Sequence, residues 1–245
     1  MSIPTGDVPL TPTVLELANG DSLTPVWVNG VGGYTFRAEA GDGTIRFIKH
    51  GPRDPEVSMF DEAERLSWAG QYTRVPVVIE VGADHTHEWL VTEGIDGTSA
   101  VAPQWIADPE TAVRAIGRGL RRLHDALPVS ECPWPWDAYS RIGNAESRGI
   151  IVPERLRTPP TDDALVVCHG DACAPNTLLD AAGEPIAHVD FGALGIGDRW
   201  ADIAVASMST VWNYDPGYED LLIEAYGLTP ARDRLAYYRE LWDAT

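Results

Sequence analysis

Cysteine is scarce in this chain: Cys132, Cys168 and Cys173 are the only three among 245 residues. An odd, sparse set of this kind is not a disulfide framework, and no second pair joins Cys168 and Cys173 to complete a zinc site. A reducing compartment is the default, so a cytoplasmic location is expected. No run of about 18 apolar residues occurs, so no membrane span is expected. The opening stretch MSIPTGDVPLTPT has neither the basic nor the apolar region of a signal peptide. Basic residues are also few. Eighteen Lys and Arg stand against 37 Asp and Glu, a net charge of −19. Such a surface repels nucleic acid and anionic lipid and attracts cations. The plainer reading is a solvated acidic surface that keeps the chain soluble. The expected partner is a small cationic molecule, with neither nucleic acid nor membrane, and the expected state is a monomer or weak dimer.

What is present is ordinary apolar content, enough for a real core, with no repeat and no low-complexity tract. Residues 1–13 are rich in Pro and Thr and read as irregular. Thr24–Asn29, Tyr34–Ala40 and Thr44–His50 read as three antiparallel strands, the last two separated by the turn Gly41-Asp42-Gly43. A Pro-rich polar loop over 51–57 follows. Phe60, Ala63, Leu66 and Ala69 then show helical spacing, ended by Gly70. Val75–Val81 and Glu88–Thr92 complete five strands around a polar turn at Gly82 and Asp84. The expected fold class is α+β: an N-terminal lobe over 1–93, a hinge at 94–97, and a mainly helical lobe over 98–245. That second lobe has a helix over Pro109–Ala126 and short apolar strands at Leu165–Cys168 and Ile186–Val189. Helices follow near 199–212, 217–226 and 230–242.

The informative text is VVCHGDACAPNTLLDAAGEPIAHVDFGALGIGDRWAD, residues 166–202. His169-Gly170-Asp171 follows an apolar strand, Asn176 lies five residues past Asp171, and Asp190-Phe191-Gly192 ends a second strand pair. Phosphoryl transfer needs a hard cation on the phosphates and a carboxylate that orients the attacking hydroxyl and accepts its proton. Asn176 and Asp190 offer oxygen ligands for magnesium, and Asp171 the catalytic carboxylate, at the Asp-to-Asn spacing of protein kinases. Asp and Asn are also common in turns and caps, but three such matches in order favour function. The first lobe offers nucleotide contacts: Gly30, Gly32 and Gly33 between two strands, or an ordinary hairpin; Phe47 under an adenine, or core; Lys49 on the phosphates, or a solvated edge lysine. Glu62 or Glu64 is the candidate partner of Lys49, and the backbone from Glu93 to Ile95 is the candidate for an adenine edge. ATP with Mg2+ is the expected cofactor set, GTP the alternative nucleotide.

At HGDACAPN (169–176), VDFGALGIGDRWADIA (189–204), AYGLTP and RLAYYREL, the sequence resembles the aminoglycoside phosphotransferase family, most closely its 3′-phosphotransferase branch. RRLHDALPVSECPW and EAERLSW extend the resemblance over most of the chain. It implies a protein-kinase-like two-lobed fold, with a five-stranded antiparallel sheet plus a helix before a mainly helical lobe. It implies Asp171 as base, Asn176 and Asp190 as magnesium ligands, and Lys49 as the phosphate lysine. Glu62, six residues before Trp68, would be its partner. Gly30–Tyr34 would be the nucleotide loop. Asp202 would support the 169–176 loop from below, with His169 as a loop organiser. An aminoglycoside acceptor, and hence antibiotic resistance, is the expectation.

The departures concern the acceptor. The family closes on an acidic pair and an aromatic residue, whereas here Leu241-Trp242-Asp243-Ala244-Thr245 keeps one carboxylate, Asp243. Trp212 and Asn213 stand where the family carries two further acids, with Asp215 close by. The 136–165 segment is shorter by roughly twenty residues. Trp134, Trp136 and Trp212 are either core or a cation–π floor. A kinase of another small molecule with a remodelled acceptor site is therefore an alternative. A non-catalytic, nucleotide-binding kinase-like module is a second. Asp84-His85-Thr86-His87-Glu88 reads as a polar hairpin tip in preference to a metal site. A protein kinase is disfavoured because no A-P-E segment follows Gly192. Gly-x-Gly-Gly followed by a strand is not a dinucleotide fingerprint.

Overall fold

In the computed structural model, which describes residues 4, 6, 8–54 and 58–245, the chain divides into two compact units. The first comprises residues up to Gln71 and Val75–Asp96; the second comprises Tyr72–Arg74 and everything from Gly97. Residues 1–3, 5 and 7 of the expected irregular N-terminus, and 55–57 of the expected Pro-rich loop, lie outside the described residues.

The first unit is built on a five-stranded antiparallel sheet: β1 Ser22–Val28, β2 Tyr34–Glu39, β3 Ile45–Pro52, β4 Val78–Ala83 and β5 His87–Glu93, in the order β1-β2-β3-β5-β4. Side chains alternate across a strand, so each face has its own helix. Helix α1, Pro12–Ala18, covers one face: Val14 and Ala18 pack with Phe36, Ala38, Ile48 and Val91. Pro12 and Thr13 were expected to be irregular. They are helical because Thr11 caps the first turn, its Oγ1 accepting from the Val14 N–H, and because proline at a first helical position leaves no donor unpaired. Helix α2, Met59–Ala69, belongs to the other face, where Glu88 accepts from the Met59 N–H at 3.0 Å. Ser58 caps it, and Gly70 ends it. Gly82 is not in the turn where the sequence placed it. It lies within β4 because the Trp89 indole covers it, leaving no space for a Cβ. The turn itself is the polar tip, with Asp84 Oδ1 accepting from the Thr86 and His87 N–H groups.

The second unit is mainly helical: α3 Pro103–Ile106, α4 Pro109–Ala126, α5 Ala138–Ser147, α6 Arg199–Tyr214, α7 Glu219–Tyr226 and α8 Arg232–Ala244. Two small sheets carry its loops. Strands β6 Thr98–Ser99, β8 Thr177–Leu179 and β9 Pro185–His188 form one; β7 Leu165–Cys168 and β10 Gly195–Asp198 form the other. The sequence reading ran from Gly192 straight towards a helix, so β10 is a correction. Its glycines hide it as a strand, yet they are required there. A Cβ on Gly195 or Gly197 would lie 2.9 Å from the Trp134 or Trp136 carbonyl oxygen. Among the described residues no helix is long and apolar enough to cross a membrane.

Candidate active site

The loop from His169 to Asn176 leaves β7 and enters β8, and each of its bends has a local cause. Gly170 has φ +85, and a Cβ there would sit 2.2 Å from the Ala193 oxygen, so glycine is the residue that fits. His169 is fully buried, its Nε2–H donating to the Val189 carbonyl at 2.9 Å. The Asp171 N–H donates to the other ring nitrogen, Nδ1, at 3.2 Å. One imidazole thus ties the backbone of Asp171 to the residue preceding Asp190. A second tie is the Val189 N–H donating to the Asn176 carbonyl at 3.0 Å. Asp190 takes φ +68, a left-handed conformation uncommon for a residue with a Cβ. It is held between bonded Val189 and Phe191, which is completely buried 4.8 Å from the His169 ring.

The three residues singled out in the sequence are thereby brought together. The Asn176 amide donates to the Asp171 backbone oxygen at 2.9 Å and to its carboxylate Oδ2 at 3.2 Å. Two acceptors on one side fix the amide nitrogen there and turn the amide oxygen away. Oδ1 of Asp171 is buried with no hydrogen-bond partner among the described residues. Burial raises the Asp171 pKa, and the nearby negative charge of Asp190 raises it further, while bonds from Cys173 and Asn176 act against the rise. Cys173 was noted in the sequence only as a cysteine. Its thiol donates toward the Asp171 carboxylate, and burial together with that carboxylate pushes its pKa far up, so it stays a donor. The loop is also docked on α6, where Ser209 Oγ accepts from the Ala174 N–H at 2.8 Å.

Asp202, on α6, lies under the loop. Oδ2 accepts from the His169 N–H at 2.5 Å and from His124 Nε2 at 2.9 Å; Oδ1 accepts from the Gly170 N–H at 3.0 Å. Burial alone would raise its pKa, but the bond from His124, the two histidines and the Gly170 N–H hold it below the usual carboxylate range.

In the first unit, Lys49 Nζ bonds both carboxylate oxygens of Glu62 at 2.7 Å. Glu62, not Glu64, is the partner. Glu62 is 6% exposed on the inner side of α2, whereas Glu64 is on its exposed side. Phe47 is half-buried and shares the Lys49 face of β3. The turn Gly30–Gly33 closes on Asn29, whose Oδ1 accepts from the Val31 and Gly33 N–H groups at 3.1 and 2.7 Å. Gly32 turns the chain at φ +86. Glu93 ends β5 with its N–H on the Val77 carbonyl, and Ile95 is half-buried. Of the acceptor candidates, Trp212 is 57% exposed at the end of α6, Asp215 caps that helix at φ +86, and Asp243 is exposed near the end of α8. Trp134 is half-buried. The ring of Trp136 faces the chain's own Arg141, 5.1 Å from its centroid.

The profile of the family described as "Phosphotransferase enzyme family" matches residues 28–238. An aminoglycoside 3′-phosphotransferase of Streptomyces fradiae is 36% identical over 226 residues, covering 80% of this chain and 84% of that protein. The crystal structure of an aminoglycoside-3′-phosphotransferase of type VIII superposes with a TM-score of 0.76 at 28% identity, covering 92% of this chain and 94% of that one. Aminoglycoside phosphotransferase APH(3″)-Id of Streptomyces rimosus, solved with ADP and streptomycin, gives a TM-score of 0.70 at 26% identity over 95% and 96% of the two chains. Loop geometry, fold and relatives agree, and the chain belongs to the phosphotransferase enzyme family.

Proposed function

We propose that this phosphotransferase uses ATP and Mg2+ to phosphorylate a hydroxyl of an aminoglycoside. The observation that carries the reading is Asp171: one oxygen is oriented by Asn176 and the other is buried with no hydrogen-bond partner among the described residues. A carboxylate in that state is prepared to accept a proton, since a residue kept only for structure would have its buried oxygens bonded. In the proposed step Asp171 takes the proton of the acceptor hydroxyl as the hydroxyl oxygen bonds to the γ-phosphorus. The bond from that phosphorus to the β–γ bridging oxygen breaks, and ADP leaves.

The residues fit a divalent cation. Burial and the nearby negative charge of Asp190 raise the cost of ionising Asp171, and the Asn176 amide presents its oxygen away from Asp171. Asn176 and Asp190 would hold Mg2+, which when bound neutralises charge on the transferring phosphate. Lys49, fixed by Glu62, would contact nucleotide phosphates, and Phe47 and the Glu93–Ile95 backbone would take the base. The glycine turn is the weaker contributor, since Asn29 already engages its amides. Nucleotide use is supported by the ADP-bound relative, and the acceptor class by the names of all three relatives.

Trp212 favours a second reading of the acceptor. A bare indole stands where the resemblance places an acid, so a less highly charged acceptor, phosphorylated by the same chemistry, fits this surface. An ADP-release screen over kanamycin-type, streptomycin-type, peptide and macrolide antibiotics and amino sugars decides between them. Turnover with kanamycin-type compounds supports the first reading. Turnover confined to weakly charged acceptors supports the second, and nucleotide binding without ADP release on any acceptor sinks both in favour of a non-catalytic, nucleotide-binding module.

A further inference from the structure

Behind the 169–176 loop, the bonds to Asp202 continue away from the site. His124, 6% exposed on α4, gives Nε2 to Asp202, and its Nδ1 lies 2.8 Å from the hydroxyl of Tyr226, the last residue of α7. The directions are fixed by chemistry. An ionised carboxylate only accepts, so His124 Nε2 carries the hydrogen. In the neutral ring Nδ1 then accepts, and Tyr226 O–H donates. Burial pushes the Tyr226 phenol up, which keeps that proton in place. The backbone spacing behind the pair is equally constrained, because Gly117 of α4 lies so close to α7 that a Cβ would sit 2.4 Å from the Leu222 oxygen. The line therefore runs from Tyr226 O–H to His124, from His124 N–H to Asp202, and from Asp202 to the N–H groups of His169 and Gly170. Those two residues precede Asp171, whose own N–H is held by the His169 ring. Bonds in such a line polarise one another, so the first affects the last.

We infer that His124 is a positioning residue for phosphoryl transfer, acting through Asp202 to fix the backbone that carries Asp171. The inference rests on the reading of Asp171 as the base. An apolar side chain of similar volume would serve helix packing as well as this buried polar pair, often with no loss of stability. What an apolar residue would not do is restrain a carboxylate that has three donors to satisfy. Reactive groups misplaced by about 1 Å lose up to about 10²-fold in rate.

The test uses two amides of nearly equal size in the full chain. Gln places its amide nitrogen where His124 has Nε2, whereas Asn reaches only the Nδ1 position. His124→Gln should retain most of the wild-type kcat. His124→Asn should lose about 10- to 100-fold in kcat with nucleotide KM nearly unchanged, after correction for folded enzyme by nucleotide-binding stoichiometry. Equal kcat in the two variants overturns the inference. Hydrogen exchange of the His169 and Gly170 amides provides a readout independent of turnover. Exchange at least about tenfold faster in His124→Asn than in His124→Gln is expected, and equal protection overturns the inference even if no acceptor is found. If His124→Asn fails to fold, Tyr226→Phe replaces it: a kcat reduced about threefold and faster exchange of those amides support the line, and unchanged values overturn it. A wild-type enzyme that turns over no acceptor counts against the proposed function alone.

Discussion

Two carboxylates flank the 169–176 loop, and the fold treats them oppositely. Asp202, underneath, has every oxygen bonded: three donors converge on it, and its pKa lies below the ordinary range despite complete burial. Asp171, the proposed base, has Asn176 on Oδ2 and the Cys173 thiol directed at its carboxylate, while Oδ1 has no hydrogen-bond partner among the described residues, and its pKa is raised. Both are Asp, Asp202 is fully buried and Asp171 is half-buried with its Oδ1 shielded from solvent, and they are separated by one loop. The difference is the number of donors aimed at each. A carboxylate that holds structure is saturated, whereas one that handles a proton is left with unused accepting capacity. Asp190 adds to the contrast, because a like charge close to Asp171 is costly unless something positive is shared.

The largest effect should come from breaking the Asp171 side. Asp171→Asn is expected to lower turnover by about 10² or more, since the amide cannot take the hydroxyl proton. Thermal stability should hold or rise, because a buried charge facing Asp190 is removed. Steady-state ADP release and a melting curve check both halves, and retained turnover would remove Asp171 from the role of base. Asp202→Asn should do the reverse, acting first on stability. Its NH2 group would face an N–H donor, leaving buried donors unpaired at a cost of about 2–4 kcal/mol. Denaturant titration would show it as a shifted midpoint.

Asp202 also carries a pH signature. Its folded pKa is lowered, so the unfolded chain takes up the proton more readily. Its contribution to stability is present above about pH 4, the unfolded carboxylate value, and is lost as pH falls through the lower folded value. Wild type should therefore approach Asp202→Asn in stability between pH 5 and the acid limit of folding, as read from denaturation midpoints at each pH. A constant gap across that range would mean the carboxylate is not held below its usual value.

The two sides were not equally legible in the sequence. Asp171, Asn176 and Asp190 could be read because their chemistry is local: a loop at a strand end, a five-residue spacing, and a second strand end. The Lys49–Glu62 pair was legible only as a choice between Glu62 and Glu64, which helix burial settles. His124 was not legible at all. Its only local mark is a place next to the apolar stripe of α4, and its partners Asp202 and Tyr226 are distant in the chain and meet through packing. Strand β10 was hidden by Gly195 and Gly197, whose presence reflects close backbone approach and not strand preference. Helix α1 was hidden by prolines that read as breakers, though Pro12 stands at a helix start. The candidate acceptor residues Trp212, Asp215 and Asp243 were read by position, and the structure adds their exposure.

Lys49 offers a comparison in the first unit, since its ammonium is partly exposed beside the buried Glu62 carboxylate. Lys49→Met should weaken nucleotide binding by about tenfold, the worth of one charge-assisted phosphate contact at about 1.4 kcal/mol. Asp171→Asn should leave nucleotide binding near wild type. Calorimetric titration with a non-hydrolysable ATP analogue separates the two. Equal weakening by both substitutions would mean the division between holding nucleotide and handling the proton is wrong.

The smallest effect is expected at Trp212, and its direction matters more than its size. The indole is 57% exposed, so Trp212→Glu removes little packing and should change stability by no more than about 0.5 kcal/mol. If the amines of a cationic acceptor pass this end of α6, the added carboxylate should lower their KM a few-fold, the gain typical of an exposed ion pair at about 0.2–1 kcal/mol. The change should fade with salt, because exposed charges are screened over about 10 Å at 0.1 M. KM for a poly-amine acceptor and for an uncharged one, measured at low and high ionic strength, isolates that charge term. A lower KM for both acceptors would be steric, and an unchanged KM for both would place the acceptor away from Trp212. A fall for the cationic acceptor alone would assign the tryptophan as the point where this chain relaxed a demand for positive charge while Asp171 kept its single unbonded oxygen.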